Sequence, residues 1–93
     1  MKYRVLCLAA TTIIVAGCAG RPTPLPEVDS AAATLYAARC GGCHAVPHPK
    51  RHKPSQWERT VNTMEREMEL KGVPSLTDNE RSSILSYLKR HGR

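Results

Sequence analysis

The chain has little of the material from which a hydrophobic core is usually built. Its 93 residues include no phenylalanine, and one tryptophan and three tyrosines supply all of the aromatic side chains. No run of alternating apolar and polar residues indicates a β-strand, so we expect an all-α protein. No internal repeat is visible, and a chain of this length has room for a single small domain. Such a domain buries little apolar surface by itself.

The one long apolar run lies at the N-terminus. Residues 5–16 are apolar except for two threonines and follow two basic residues, but they are too few to span a bilayer. The pattern is typical of an export signal. It ends in Val-Ala-Gly-Cys at residues 15–18, which resembles the lipobox of bacterial lipoproteins, whose cysteine is lipidated and becomes the new N-terminus. We expect residues 1–17 to be a lipoprotein signal peptide and Cys18 to be the lipidation site; the alternative is an ordinary signal peptide with a chance cysteine.

Removal of this signal leaves a weakly basic chain. Twelve Lys and Arg then face eight Asp and Glu, which gives a net charge of +4. This charge favours mild attraction to anionic lipids or acidic protein patches, and neither it nor any motif predicts a nucleic-acid partner. The alternate prolines in residues 21–27 favour an extended backbone. We therefore expect residues 18–29 to be a tether that holds the domain roughly 30 Å from the periplasmic face of a bacterial membrane.

Three helices are predicted in residues 30–93. Asp29 or Ser30 caps the first helix, because both side chains accept hydrogen bonds from free backbone amides. The segments 55–58 and 77–80 are capping boxes of the Ser/Thr-x-x-Glu type, which open the second and third helices. The predicted helices cover about 30–40, 55–72 and 77–91.

The central motif of the domain is the pentapeptide Cys-Gly-Gly-Cys-His at residues 40–44. Two cysteines at this spacing can form a disulfide, a redox pair, half of a metal site or a haem attachment site. Here the histidine follows at once, so two thiols can reach the two vinyl groups of one haem while the imidazole reaches its iron. The thin core also favours a large apolar cofactor. We expect one covalent haem c, with Cys40 and Cys43 as thioethers and His44 as the proximal iron ligand.

Residues 30–93 resemble a minimal class I cytochrome c domain. Tyr36 lies four residues before the first haem cysteine, where that family usually has an aromatic side chain, and Ala32 occupies its small-residue position. Residues 84–88 resemble the C-terminal helix of the family, which crosses the first helix at that small residue. The resemblance implies three main helices around the haem. It also implies a single-electron carrier rather than an enzyme, with redox proteins as partners.

The distal iron ligand is expected to come from the second helix, because the loop that usually presents it in this family is short here. Trp57, Val61, Met64 and Met68 form one stripe of that helix, a pattern that is also typical of plain core. A bacterial subgroup of the family has a Trp-x6-Met helix. Met64 matches this spacing and is the preferred ligand, with Met68 as the second choice.

Other interpretations stay open from the sequence. A labile or open sixth position would make the protein a ligand-binding or sensing haem protein. Cys40 and Cys43 can be combined with His48 and His52 into a zinc site, although these histidines lie unusually close to the cysteines. A thiol-disulfide oxidoreductase usually has a βαβ framework, which is not predicted.

The remaining polar groups near the motif have weaker assignments. His48 and His52 are poorly placed to reach the opposite face of a haem, and His91 lies at the end of the last helix. A carbonyl group of one of three prolines is expected to fix the second ring nitrogen of His44. These prolines are Pro47, Pro49 and Pro54. The basic residues of the same loop are suited to orient an acidic redox partner.

Overall fold

The computed structural model describes residues 23–42 and 44–93, and these residues form helices and loops without any strand. The predicted all-α class is confirmed. The predicted signal peptide, Cys18 and Cys43 lie outside the described residues. The elements are α1 (Ala31–Cys40), a short 3-10 helix (Pro49–Arg51), α2 (Pro54–Leu70) and α3 (Asp78–Arg90). None of these helices is long and apolar enough to cross a membrane.

Helices α1 and α3 begin where the sequence predicts. The Ser30 hydroxyl accepts a hydrogen bond from the backbone N–H of Ala33 at 3.1 Å. At α3, the Thr77 hydroxyl accepts from the N–H of Glu80 at 3.1 Å, and the Glu80 carboxylate accepts from the N–H of Thr77 at 2.9 Å. The backbone hydrogen bond from Thr77 holds the pKa of Glu80 below its ordinary value. Of the two predicted caps of α1, Asp29 and Ser30, the structure uses Ser30, and the predicted capping box at 77–80 is confirmed.

Helix α2 begins earlier than predicted. Its N-cap is Lys53 and its first residue is Pro54, whose fixed φ and missing N–H suit the first helical position. The Gln56 side chain then accepts a hydrogen bond from the backbone N–H of Lys53 at 2.9 Å. The capping box predicted at Ser55 and Glu58 is therefore wrong, because the proline already sets the start of the helix.

The end of α2 is a glycine-dependent turn. Gly72 has a φ of 69°, in the left-handed region where side chains other than glycine are disfavoured. Its N–H donates to the carbonyl of Glu69 at 3.1 Å, and the N–H of Val73 donates to the carbonyl of Met68 at 2.9 Å. These two bonds are those of a Schellman motif, which satisfies carbonyls that the helix leaves free.

Helix α3 packs against both α1 and α2. Two ion pairs, at 3.2 and 3.6 Å, show that α3 runs antiparallel to α2, and a third, at 3.2 Å, joins the end of α1 to the start of α3. Exposed ion pairs of this kind add little stability, but they define the two ends of the bundle. At one end of the bundle, the start of α3 lies beside the ends of α1 and α2. At the other end, the end of α3 lies beside the start of α2. The pairs are Arg39 with Glu80, Glu65 with Arg81, and Glu58 with Lys89.

The core is small and lies along the inner face of α3. Ala33 is 1% exposed and is the small residue of α1 that sits in the core, whereas its neighbour Ala32 is only partly buried against it. The tyrosines Tyr36 and Tyr87 are in contact, with ring centroids 6.0 Å apart. The core cluster consists of Ala33, Tyr36, Trp57, Val61, Ile84, Leu85, Tyr87 and Leu88.

The segment that precedes α1 is docked on the bundle. The Tyr87 hydroxyl donates to the carbonyl of Pro26 at 2.8 Å, and Leu25 packs partly buried against the core. A carboxylate oxygen of Glu27 lies 2.6 Å from Nε2 of His91, and this hydrogen bond lowers the pKa of Glu27. The tether predicted over residues 18–29 thus ends in a segment that contacts α3.

Candidate functional site

A cleft of about 310 Å³ opens between the end of α1 and the C-terminal half of α2. It exists because α1 and α2 each pack on α3, which leaves a gap between them. Its walls are mostly apolar, and its volume falls at the lower end of the range for small-molecule sites, roughly 300–1,000 Å³. The residues that line the walls include Cys40, Gly42, His44, Met64, Met68 and Val73.

The cleft brings together side chains that are distant in the sequence. Cys40 and His44 come from the end of α1 and the loop that follows it. Met64 and Met68 lie on α2, at least twenty residues further along the chain. A thiol and an imidazole therefore share one cavity with two thioethers. Four of the predicted cofactor-site residues line this cavity, and Cys43 lies outside the described residues.

His44 is oriented by its own loop. Its Nδ1 lies 2.9 Å from the carbonyl oxygen of Ala45, and the ring is exposed. With the proton on Nδ1, this contact is a donated hydrogen bond and leaves the lone pair of Nε2 free to bind a metal. The prediction that a proline carbonyl fixes the second ring nitrogen of His44 is wrong. The structure gives the role to the neighbouring backbone instead.

Two aromatic side chains use the proline carbonyls and fix the loop after His44. The Tyr36 hydroxyl donates to the carbonyl of Pro47 at 2.7 Å, and the Trp57 indole N–H donates to that of Pro49 at 2.8 Å. Burial raises the pKa of Tyr36 well above its ordinary value, so its hydroxyl stays a donor at neutral pH. The sequence indicates only that a buried Tyr or Trp needs a polar partner, and the fold determines which carbonyls serve.

Cys40 has a half-buried thiol and lines the cleft. Burial raises its pKa to about 11, and the charge of Arg39 offsets this only in part. Cys40 is therefore a neutral thiol at physiological pH. An attacking cysteine in thiol-disulfide exchange needs the opposite environment, one that lowers the pKa and stabilises the thiolate.

The two methionines differ in how they meet the cleft. Met68 is 7% exposed, and its backbone carbonyl takes part in the turn that ends α2. Met64 is half-buried and packs against the core cluster while it lines the cavity. By the 3.6-residue repeat, Met64 lies between the core stripe of Trp57 and Val61 and the cleft-facing side of α2. This position leaves Met64 freer than Met68 to turn its sulfur into the cleft.

The two glycines of the motif have different surroundings. A Cβ atom on Gly41 would overlap the carbonyl oxygen of Ala37, one turn earlier in α1. A Cβ atom on Gly42 would meet no heavy atom within 4 Å. A glycine is therefore required at position 41, where a side chain would clash with the last turn of α1, whereas position 42 has room for a side chain.

The other histidines have structural partners away from the cleft. His48 caps the 3-10 helix, where its Nδ1 accepts a hydrogen bond from the N–H of Lys50 at 3.1 Å. His52 packs edge-on against Trp57, with ring centroids 4.8 Å apart. His91 contacts the docked N-terminal segment. Within residues 23–42 and 44–93, no three His, Cys, Asp or Glu side chains are grouped closely enough to hold a metal ion.

Comparisons with known protein families, curated proteins and solved structures find no match to this chain.

Proposed function

We propose that this chain is a monohaem c-type cytochrome with a minimal class I fold, which carries single electrons at the periplasmic side of a bacterial membrane. One observation carries the proposal. Cys40 and His44 of the attachment motif line the same apolar cleft as Met64, a thioether from a distant part of the chain. A thiol, an imidazole and a thioether are the groups by which a chain of this class holds haem c.

Each residue of the predicted haem site has a distinct task in this proposal. Cys40 and Cys43 would hold the cofactor covalently, and His44 would bind its iron through Nε2. Met64 would supply the second protein ligand to the iron. The bound haem would supply a centre that gains and loses one electron. Because protein side chains would supply both of these ligands, the site favours an electron carrier over an enzyme.

The residues of the cleft also influence the reduction potential of the haem. A neutral thioether ligand raises the reduction potential relative to a second histidine. The apolar walls, which include Val73 and Met68, limit water access. Arg39 and Lys71 at its rim are suited to a redox partner with acidic patches, although Glu67 offsets part of their charge.

A pair of methionine variants tests the axial ligand. Met64→Leu should abolish the methionine-to-iron charge-transfer band, lower the potential and allow carbon monoxide to bind. Met68→Leu is the matched control, because it makes the same nearly volume-conserving change one helical turn away. It should cost less than about 1.5 kcal/mol and leave the spectrum unchanged.

Reduced-minus-oxidised spectra of the two variants separate the possible outcomes. Loss of the band in Met68→Leu alone would transfer the ligand role to Met68. A native spectrum in both variants would exclude methionine ligation, and with it the electron-carrier mechanism in this form. Ready binding of carbon monoxide by the wild type would favour a ligand-binding haem protein.

A further inference from the structure

One end of the bundle carries a cluster of unpaired basic side chains. Lys50, Arg51, Lys53 and Arg93 are all exposed, and none of them forms an ion pair with another described residue. Arg93 joins the loop directly, because its N–H donates to the carbonyl of His52 at 3.1 Å. We call these four residues the basic end.

The N-terminal segment enters the domain beside the basic end. Glu27 is held by His91 and Arg90, and the carbonyl of Pro26 is held by Tyr87, so residues 26 and 27 lie at the C-terminal end of α3. Arg93 is only two positions after His91, which is at most about 7 Å of chain. The link from residue 18 to residue 24 spans about 20 Å if extended.

The cleft lies toward the opposite end of the bundle. Its lining includes Arg39, which is paired with Glu80 near the start of α3, and Lys71 at the end of α2. Helix α3 has 13 residues and is therefore about 20 Å long. Along α2, Lys71 at the far edge of the cleft lies about 27 Å from Lys53, and Thr60 at its near edge lies about 10 Å from Lys53.

We propose that the basic end lies on an anionic lipid surface and that the cleft faces away from the membrane. The inference rests on the lipid anchor of the proposed function, because only an N-terminal anchor brings the basic end to the lipid. A short link that leaves beside four unpaired cations holds them within reach of the headgroups. Each basic residue near an anionic surface contributes a factor of roughly five to the equilibrium. The redox partner then reaches the cleft from the aqueous side.

Lysine footprinting of the full chain in vesicles tests this orientation. The membrane-extracted protein is reconstituted into vesicles of phosphatidylcholine alone or with phosphatidylglycerol, and flotation establishes that it is anchored. An amine-reactive reagent then labels the exposed lysines, which are read by mass spectrometry. We expect labelling of Lys50 and Lys53 to fall at least about fivefold in the anionic vesicles. Lys71, beside the cleft, should be labelled equally in both.

Matched charge reversals provide the control. Lys50→Glu/Arg51→Glu should return labelling of Lys53 to its level in neutral vesicles. Arg59→Glu/Arg66→Glu makes the same charge change at exposed positions of α2 and should leave Lys53 protected. Equal labelling of Lys53 in both lipids by an anchored chain would overturn the orientation alone. Protection of Lys71 instead would place the cleft on the membrane, and a chain that fails to float would overturn both the anchor and the orientation.

Discussion

The hydrogen bond between Tyr36 and Pro47 offers a defined perturbation of the loop that follows His44. Tyr36→Phe keeps the ring, which is fully buried, and removes only the hydroxyl that donates at 2.7 Å. A typical intramolecular hydrogen bond contributes about 0.5–1.5 kcal/mol, and an unpaired buried group costs more. Pro47 is half-buried, so water can partly replace the lost donor. We therefore expect a loss of about 1 kcal/mol, or roughly 4–8 °C in Tm for a domain of this size.

Thermal unfolding followed by circular dichroism measures this loss, with Tyr87→Phe as the matched control. That variant removes the hydrogen bond to Pro26 and should loosen the docked N-terminal segment without affecting the loop of His44. Alkaline pH gives a second readout. Burial raises the pKa of Tyr36 above 10.0, the ordinary pKa of a tyrosine. The contribution of Tyr36 to stability is therefore complete below pH 10.0 and is lost as the pH rises further. Tyr36→Phe should lack this alkaline loss. An unchanged Tm together with an unchanged alkaline profile would refute the assigned role of the hydroxyl.

Three further predictions concern other parts of the chain. Gly41→Ala should destabilise the domain by roughly 1–3 kcal/mol in thermal unfolding, because its Cβ overlaps the preceding helical turn, whereas Gly42→Ala should change stability by less than about 0.5 kcal/mol. Equal effects of the two would contradict the assigned crowding. The stability difference between wild type and Glu27→Gln should be present at neutral pH. This difference should disappear as the pH falls from 4.5 through the lowered pKa of Glu27. Measurements of unfolding over a series of acidic pH values test this, and a difference that does not change with pH would exclude the contact with His91 as its source. Cys18→Ser should block lipidation and shift the protein out of the detergent phase in a partition assay, and equal partitioning would refute the lipid anchor.

Local chemistry made much of the fold predictable. The Ser30 cap and the capping box at 77–80 depend on side chains within three residues of the groups they satisfy, and both were found as predicted. At α2 two local signals competed. Pro54 set the helix start and Gln56 supplied the capping contact, so the Ser-x-x-Glu pattern one residue later went unused. A sequence pattern names the candidates for a cap, but it does not rank them.

Contacts between distant segments were less predictable. The docking of Pro26 and Glu27 on α3 joins residues more than sixty positions apart, and no periodic pattern reports such a pairing. The partner of His44 was misassigned for a similar reason. Tyr36 and Trp57 use two of the proline carbonyls, which only the three-dimensional arrangement reveals. By contrast, helical periodicity was sufficient to place the two methionines on one stripe of α2, and both line the cleft.

Covalent attachment of one haem to the motif at residues 40–44 is the basis of the proposed function. A haem stain of the exported protein after denaturing electrophoresis, with the intact mass measured on the same sample, tests this attachment. We expect a stained band that carries the mass of a single haem, and loss of the stain when Cys40 and Cys43 are both changed to alanine. A wild-type chain that is exported and folded, but carries no covalently bound haem, would exclude a c-type cytochrome.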